Sequence, residues 1–150
     1  MSSIEKKLAT LNLKLEDAKP PVGNCIGSKT VGDLLFASGR VSNLTGEIGN
    51  DVSEEQARQA ASDTVLLILA IIKKDIQNLD LLTGVVKLQG FLRCSSNFTN
   101  LPKVLDGASD LLIMLFGENG KHARTATAVS QLPFGATLQL DIIFQIKTKA

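Results

Sequence analysis

The stretch LQLDIIFQIK, residues 138–147, decides the fold. Apolar side chains occupy every second position along it, namely Leu138, Leu140, Ile142, Phe144 and Ile146. A period of two residues is the spacing of a β-strand with one buried face and one largely polar face. The segment therefore predicts a half-buried strand that carries Gln139 and Asp141 on its polar face.

Two amphipathic helices are predicted before this strand. The first begins at Ser53 and ends near residue 75 or 78, because Ser53 and Gln56 form a capping-box pattern and apolar residues follow at helical spacing. The second spans Phe98 to Phe116. Gly107 inside the second helix predicts a close packing contact or a local distortion.

Five strands surround these helices in the predicted order β-β-α-β-α-β-β, at residues 22–31, 34–38, 83–94, 124–130 and 138–147. This order indicates an α+β domain in which two helices cover one face of a sheet. We expect one domain over residues 20–150, and residues 1–19 as an N-terminal extension or short helix. The glycine-containing stretch 43–50 is predicted to be a loop.

The second sheet face has no cover in this prediction. Ile143 lies on its nominally polar side, and residues 85–90 are apolar on both sides of their strand. An uncovered and partly apolar face is best buried against another copy of the chain. We therefore expect a homo-oligomer.

Composition excludes several classes of protein. The chain has 150 residues, 16 Lys and Arg, 15 Asp and Glu and no Trp or Tyr, so the cationic excess and two of the stacking side chains typical of nucleic-acid binders are missing. The longest apolar run, 65–72, is too short for a membrane span, and the N-terminus does not resemble a signal peptide. We expect a cytoplasmic protein with neither a membrane nor a nucleic-acid partner.

Few residues carry obvious chemistry. One His and two Cys, Cys25 and Cys94, disfavour a metal site, and no phosphate-binding or nucleophile motif is present. His122 precedes a strand and is best interpreted as a loop histidine near an interface. Arg124, among small residues, could hold a carboxylate by two parallel hydrogen bonds, although a structural salt bridge is the simpler interpretation. Ser38-Gly39-Arg40 adds a hydroxyl, an open backbone and a second cation.

Three segments carry a family resemblance. They are LLFASGR (34–40), LTGEIG (44–49) and HARTATAVSQLPFGATLQLDIIF (122–144). Together they resemble the RidA family, also called the YjgF or L-PSP endoribonuclease-like family, from about Pro20 to Ile146. The segment FTNLPKVLDGASDLLIMLFGENGKHAR (98–124) resembles a divergent branch of that family.

The resemblance implies a chorismate-mutase-like fold, a homotrimer and ligand sites in clefts between subunits. It implies hydrolysis of enamine or imine intermediates such as 2-aminoacrylate to 2-keto acids and ammonia, with no metal or organic cofactor. Arg124 would bind the carboxylate of the substrate, a small metabolite. The other substrate-binding positions would be Ser38, Gly39, Phe91 and Ala126.

The resemblance is incomplete at the positions that handle water. The family glutamate that positions the attacking water falls at Gln139, which can orient a water but cannot take its proton. Asp141 on the same strand face is the alternative. A family tyrosine falls at Cys25, which could be a nucleophile, an oxidation switch or an inert thiol.

Three functions remain open at this point: a deaminase that uses Arg124, Gln139 and Asp141, a non-catalytic trimeric binder of carboxylate metabolites, and an endoribonuclease. The charge balance and the absence of a His pair disfavour the endoribonuclease.

Overall fold

A computed structural model describes residues 1–148. Within these residues three α-helices and six strands follow one another. They are α1 (Ser3–Thr10), β1 (Ser28–Val31), β2 (Leu34–Ala37), β3 (Arg40–Val41), α2 (Glu54–Ile76), β4 (Leu82–Arg93), α3 (Leu101–Phe116), β5 (Ala123–Val129) and β6 (Leu138–Ile146). Short 3-10 turns occupy Leu79–Leu81, Gly117–Gly120 and Pro133–Gly135.

The strands form one mixed sheet in the order β1-β2-β6-β4-β5, and the short β3 also pairs with β6. Among the strand pairs of residues 1–148, β4 and β5 are parallel and the others are antiparallel. β6 is therefore a central strand, and β5 lies at an edge of the sheet. The predicted α+β class and the order of the main elements are confirmed.

A local signal begins α2 where the sequence predicts it. The Ser53 hydroxyl accepts a hydrogen bond from the Gln56 amide at 3.1 Å, and the Gln56 side chain accepts one from the Ser53 amide at 2.9 Å. Ser2 and Glu5 form the same capping box at the start of α1. Each box satisfies backbone donors that the first helical turn leaves without partners.

The core lies between the helices and one face of the sheet. The alternating apolar residues of β6 are buried there, and the rings of Phe116 and Phe144 lie 5.9 Å apart. Gly107 allows α3 to approach α2 closely, because a Cβ at this position would collide with the carbonyl oxygen of Arg58. The predicted packing contact at Gly107 is confirmed.

Two predicted element bounds were wrong, and one short strand was not predicted. Residues 22–27 are irregular and the first strand begins only at Ser28, since Pro21 lacks an amide proton and Gly23 has a positive φ of 86°. The second helix begins at Leu101 rather than Phe98, with Pro102 in its first turn. The two-residue strand β3 was not predicted, because it is defined only by its pairing with β6. No helix within residues 1–148 is long and apolar enough to cross a membrane.

Candidate functional site

A cavity of about 230 Å³ lies at one end of the sheet, where residues 21–27 and the turn before β6 meet β2 and β3. It brings together five residues that sequence analysis singled out, namely Cys25, Ser38, Gly39, Arg40 and Gln139. Apolar side chains form most of the remaining wall, including Val22, Ile71 and Phe134. This cavity is the candidate functional site.

Gln139 presents its amide to the cavity. A Cβ placed on Gly39 would lie 3.1 Å from Gln139 Nε2, so the glycine leaves the space in which this amide lies. The Gln139 side chain has no hydrogen-bond partner within residues 1–148, whereas the Ser38 hydroxyl donates to the Ile26 carbonyl at 2.5 Å. Gln139 can therefore both donate to and accept from a bound molecule, and Ser38 holds the wall of the cavity.

Arg40 is the charged residue that lines the cavity. Its one side-chain hydrogen bond within residues 1–148 is a long one, from Nη1 to the Pro20 carbonyl at 3.5 Å. Cys25 is exposed, and its thiol lies 3.6 Å from the Val22 carbonyl oxygen. The cavity therefore carries a positive charge that no acidic group of its wall neutralises.

Phe134 lies at the rim of the cavity in an unusual backbone conformation. Its φ and ψ are 60° and 20°, Gly135 has a φ of 69°, and the Ala136 amide donates to the Pro133 carbonyl at 3.2 Å. These values describe a type I′ turn, which favours Asn-Gly at its two central positions. A bulky residue with positive φ costs about 1–3 kcal/mol.

Asp141 lies on the sheet face that the helices leave open. It pairs across the sheet with Gln89, and Phe91 pairs with Gln139 on the same face. Burial raises the pKa of the Asp141 carboxyl above its usual value, and the nearby Lys87 opposes this shift. Gln139 and Asp141 share one face, as the alternation of β6 predicts.

Arg124 lies on the opposite face of the sheet. Its cross-strand partner is the buried Leu88, so its side chain projects toward the helices. There Nη1 donates to Asp106 Oδ1 at 2.8 Å and to the Ser109 hydroxyl at 3.1 Å. Within residues 1–148 these bonds use only Nη1, so Nη2 and Nε have no protein partner.

His122 lies in the loop before β5, as predicted, and extends this network. Its Nδ1 lies 2.6 Å from the Gly120 carbonyl oxygen, which can only accept, so Nδ1 carries a proton. In the tautomer protonated at Nδ1 alone, Nε2 accepts from the Ser109 hydroxyl at 2.9 Å. Ser109 thereby donates to His122 and accepts from Arg124, and its side chain has a definite orientation.

The predicted site residues thus fall into separate groups within one chain. Cys25, Ser38, Gly39 and Gln139 line the cavity, and Phe91 and Asp141 continue along the open face. Arg124 lies across the sheet with Ala126, which pairs with Gly90 and packs against the core. A single chain does not bring Arg124 together with Gln139 or Asp141.

Sequence reasoning did not assign roles to Asp106, Ser109 or Phe134. The spacing of Asp106 and Ser109, three residues apart on a helix, places them on one face and was the available signal for the first two. A Phe-Gly pair in a short turn where Asn-Gly is usual was the signal for Phe134. In residues 1–148 no group of three or more His, Cys, Asp or Glu is placed to hold a metal ion.

Comparison with known proteins agrees with this architecture. The protein TCP17 of Trypanosoma cruzi is 33% identical over 150 residues, covering 95% of this chain and 94% of TCP17. The crystal structure of Atu1372 from Agrobacterium tumefaciens, a protein of unknown function, is 33% identical with a TM-score of 0.89, covering 97% of this chain and 93% of that one.

A more distant structure shares the fold alone. It is E. coli TdcF with bound serine, which is 21% identical with a TM-score of 0.54, over 87% of this chain and 94% of TdcF. The family model described as "YjgF/chorismate_mutase-like, putative endoribonuclease" matches residues 5–145. The chain therefore belongs to the YjgF/chorismate-mutase-like family.

Proposed function

We propose that this protein hydrolyses enamine and imine intermediates of the 2-aminoacrylate type to 2-keto acids and ammonia, in clefts between the subunits of a homotrimer. The observation that carries the proposal is the pattern of hydrogen bonds that Arg124 makes. Its guanidinium is held at Nη1 by Asp106 and Ser109, and Nη2 and Nε are left for a ligand. Two parallel donors on a fixed planar group match a carboxylate.

The position of Arg124 supports a cleft between subunits. β5 is an edge strand, so a second chain can approach Arg124 from the side that has no neighbouring strand. The open sheet face, where Phe36 is 42% exposed and pairs with Ile143, is the surface that a second copy would cover. Arg124 of one subunit would then meet the cavity and Gln139 of another.

Water attack on the imine carbon would follow binding of the carboxylate. Gln139 would orient the water, and Asp141 would accept a proton from that water. Burial raises the pKa of the Asp141 carboxyl, which makes its carboxylate a stronger base. The water oxygen bonds to the imine carbon to give a carbinolamine. The C–N bond then breaks, nitrogen leaves as ammonia with the transferred proton, and the keto group forms. Imine and water together supply every atom of the two products.

A non-catalytic role as a carboxylate binder is the second candidate. It is favoured by Gln139 itself, an amide at the position where the family resemblance implies a glutamate. Serine bound to TdcF supports a small metabolite as the ligand in either case. The two candidates differ only in whether the water is activated.

A coupled assay separates the two candidates. An L-amino-acid oxidase generates 2-imino acids, semicarbazide traps them, and an active protein suppresses the trapping signal. We expect suppression by the wild type and a fall in kcat/KM of about 100-fold in Arg124→Lys, because a lysine cannot present two fixed parallel donors.

Arg58→Lys is the matched control, since Arg58 forms a similar ion pair with Asp110 at 3.0 Å but lies away from the cavity. Molar mass by light scattering is measured on the same samples. No suppression by a folded trimer that still binds 2-keto acids would overturn the deaminase proposal and leave the binder.

A further inference from the structure

Neither packing nor the turn itself explains Phe134. Its side chain is 72% exposed, so burial compensates little for its strained backbone. The turn is held by other groups, since the Gly135 carbonyl accepts from the Gly46 amide at 3.0 Å and from Arg93 Nη1 at 3.4 Å. An aromatic residue in a strained conformation that does not serve the fold points to a function.

The cavity beside Phe134 is lined by both polar and apolar residues. Ser38, Gln139 and Arg40 supply the polar groups, while Val22, Ile71 and Phe134 form an apolar wall. Its volume of about 230 Å³ exceeds the roughly 150 Å³ of a cavity that holds benzene. The methylene group of 2-aminoacrylate would leave much of this volume empty.

We infer that Phe134 is a specificity-determining residue, and that the site prefers imino and keto acids whose side chain is apolar and of leucine size or larger. This inference rests on the proposed function, because it assumes that the carboxylate and the reacting carbon lie near Gln139. The side chain of the substrate then lies against Val22, Ile71 and Phe134. Phe134 keeps its strained conformation because the turn aims its ring over this pocket.

The test compares a large and a small ligand in two variants. Phe134→Asn removes the ring and introduces the residue that a type I′ turn prefers, so its Tm should stay equal or rise. Phe134→Leu keeps an apolar side chain and serves as the conservative variant. Dissociation constants for 4-methyl-2-oxopentanoate and pyruvate are measured by calorimetry, and kcat/KM is measured for the imines of leucine and alanine.

We expect the wild type to favour the larger ligand and the larger imine by at least about tenfold. The preference should fall below about threefold in Phe134→Asn and persist in Phe134→Leu. Hydrolysis of both imines by the wild type with equal kcat/KM would overturn the inference and leave the proposed function intact. The same would follow if Phe134→Asn kept the preference of the wild type.

The remaining outcomes also decide between the two proposals. Tighter binding of 4-methyl-2-oxopentanoate without hydrolysis of any imine would overturn the proposed function and support the apolar pocket. Absence of both binding and hydrolysis would overturn both. A changed molar mass in Phe134→Asn would assign the ring to a contact between copies and overturn the inference.

Discussion

Two arginines of this chain are in opposite environments. Arg124, whose side chain is 24% exposed, donates to Asp106 and Ser109, and a histidine orients the serine. Arg40 lines a largely apolar cavity, and within residues 1–148 its only side-chain partner is a carbonyl oxygen at 3.5 Å. The first is a cation whose position the fold determines. Arg40 is a cation that the fold leaves available to a bound molecule.

This difference shows how one network can serve both stability and binding. An ion pair at a half-exposed site contributes little to stability by itself. A buried hydroxyl shared between two partners contributes more, because its removal leaves both of them without a hydrogen bond. Removing single groups from the Arg124 network should therefore affect stability and binding to different degrees.

Among these variants Ser109→Ala should have the largest effect on stability. Ser109 is 7% exposed, and its loss leaves His122 Nε2 and one donor of Arg124 without their partner. We expect a loss of about 2 kcal/mol in the free energy of unfolding, which lowers Tm by roughly 4–8 °C. Thermal denaturation followed by circular dichroism measures it. An unchanged Tm would mean that the shared hydroxyl does not stabilise the fold.

Asp106→Asn should weaken ligand binding with a smaller effect on stability. The Asn oxygen can still accept from Arg124, but without the negative charge the guanidinium is held less firmly. We expect KM to rise about tenfold with kcat nearly unchanged, as for a group that positions a binding residue. Asp110→Asn, which breaks the Arg58 ion pair on the same helix, is the control. A loss confined to kcat would contradict a positioning role.

Arg40→Gln tests the second arginine of the comparison, the one that lines the cavity. Because Arg40 has so few protein contacts, we expect the free energy of unfolding to change by less than about 0.5 kcal/mol. Affinity for 2-keto acids should nevertheless fall about threefold, since the cavity loses the positive charge of its wall. Titration calorimetry at low and at physiological salt measures both the loss and its screening. Equal affinity of the two proteins would show that Arg40 faces solvent alone.

Asp141→Asn should have a small effect on stability, and the size of this effect depends on pH. Burial raises the pKa of Asp141 in the folded chain above 3.8, so the ionised carboxylate destabilises the fold at neutral pH. Replacement by Asn should raise Tm by about 1–2 °C at pH 7. The gain should shrink as pH falls through the folded-state pKa and vanish below 3.8, where the carboxyl is protonated in both states. A gain that is independent of pH would exclude this explanation.

Patterns carried by neighbouring residues predicted much of the fold. The alternation in β6 and the Ser53 capping box report interactions within one element, so both were predictable from local sequence. The first strand pairs only with β2 and begins at Ser28, after the irregular segment that contains Pro21 and Gly23. The existence of β3 depends on pairing with residues about a hundred positions away along the chain. Local propensity carries no information about such partners, so β3 was not predicted.

The candidate site divides in the same way. The resemblance placed Ser38, Gly39, Cys25 and Gln139 in one site, and they line one cavity. It also placed Arg124 with them, but within one chain Arg124 lies on the opposite face of the sheet, and only in the proposed trimer would it meet this cavity. The homotrimer, the deaminase activity and the individual residue roles remain predictions.

The sequence by itself determined the family and the helix-covered sheet. It also determined that Gln139 and Asp141 share one face, because side chains alternate along a strand whatever surrounds it. Only the tertiary structure decided on which face Arg124 lies, since the β4–β5 register aligns it with buried Leu88 rather than with Gln89. The same holds for the contacts of Arg124 with Asp106 and Ser109 and for Phe134 at the rim of the cavity. These arrangements depend on distances between segments that are remote in sequence, and a linear pattern does not encode those distances.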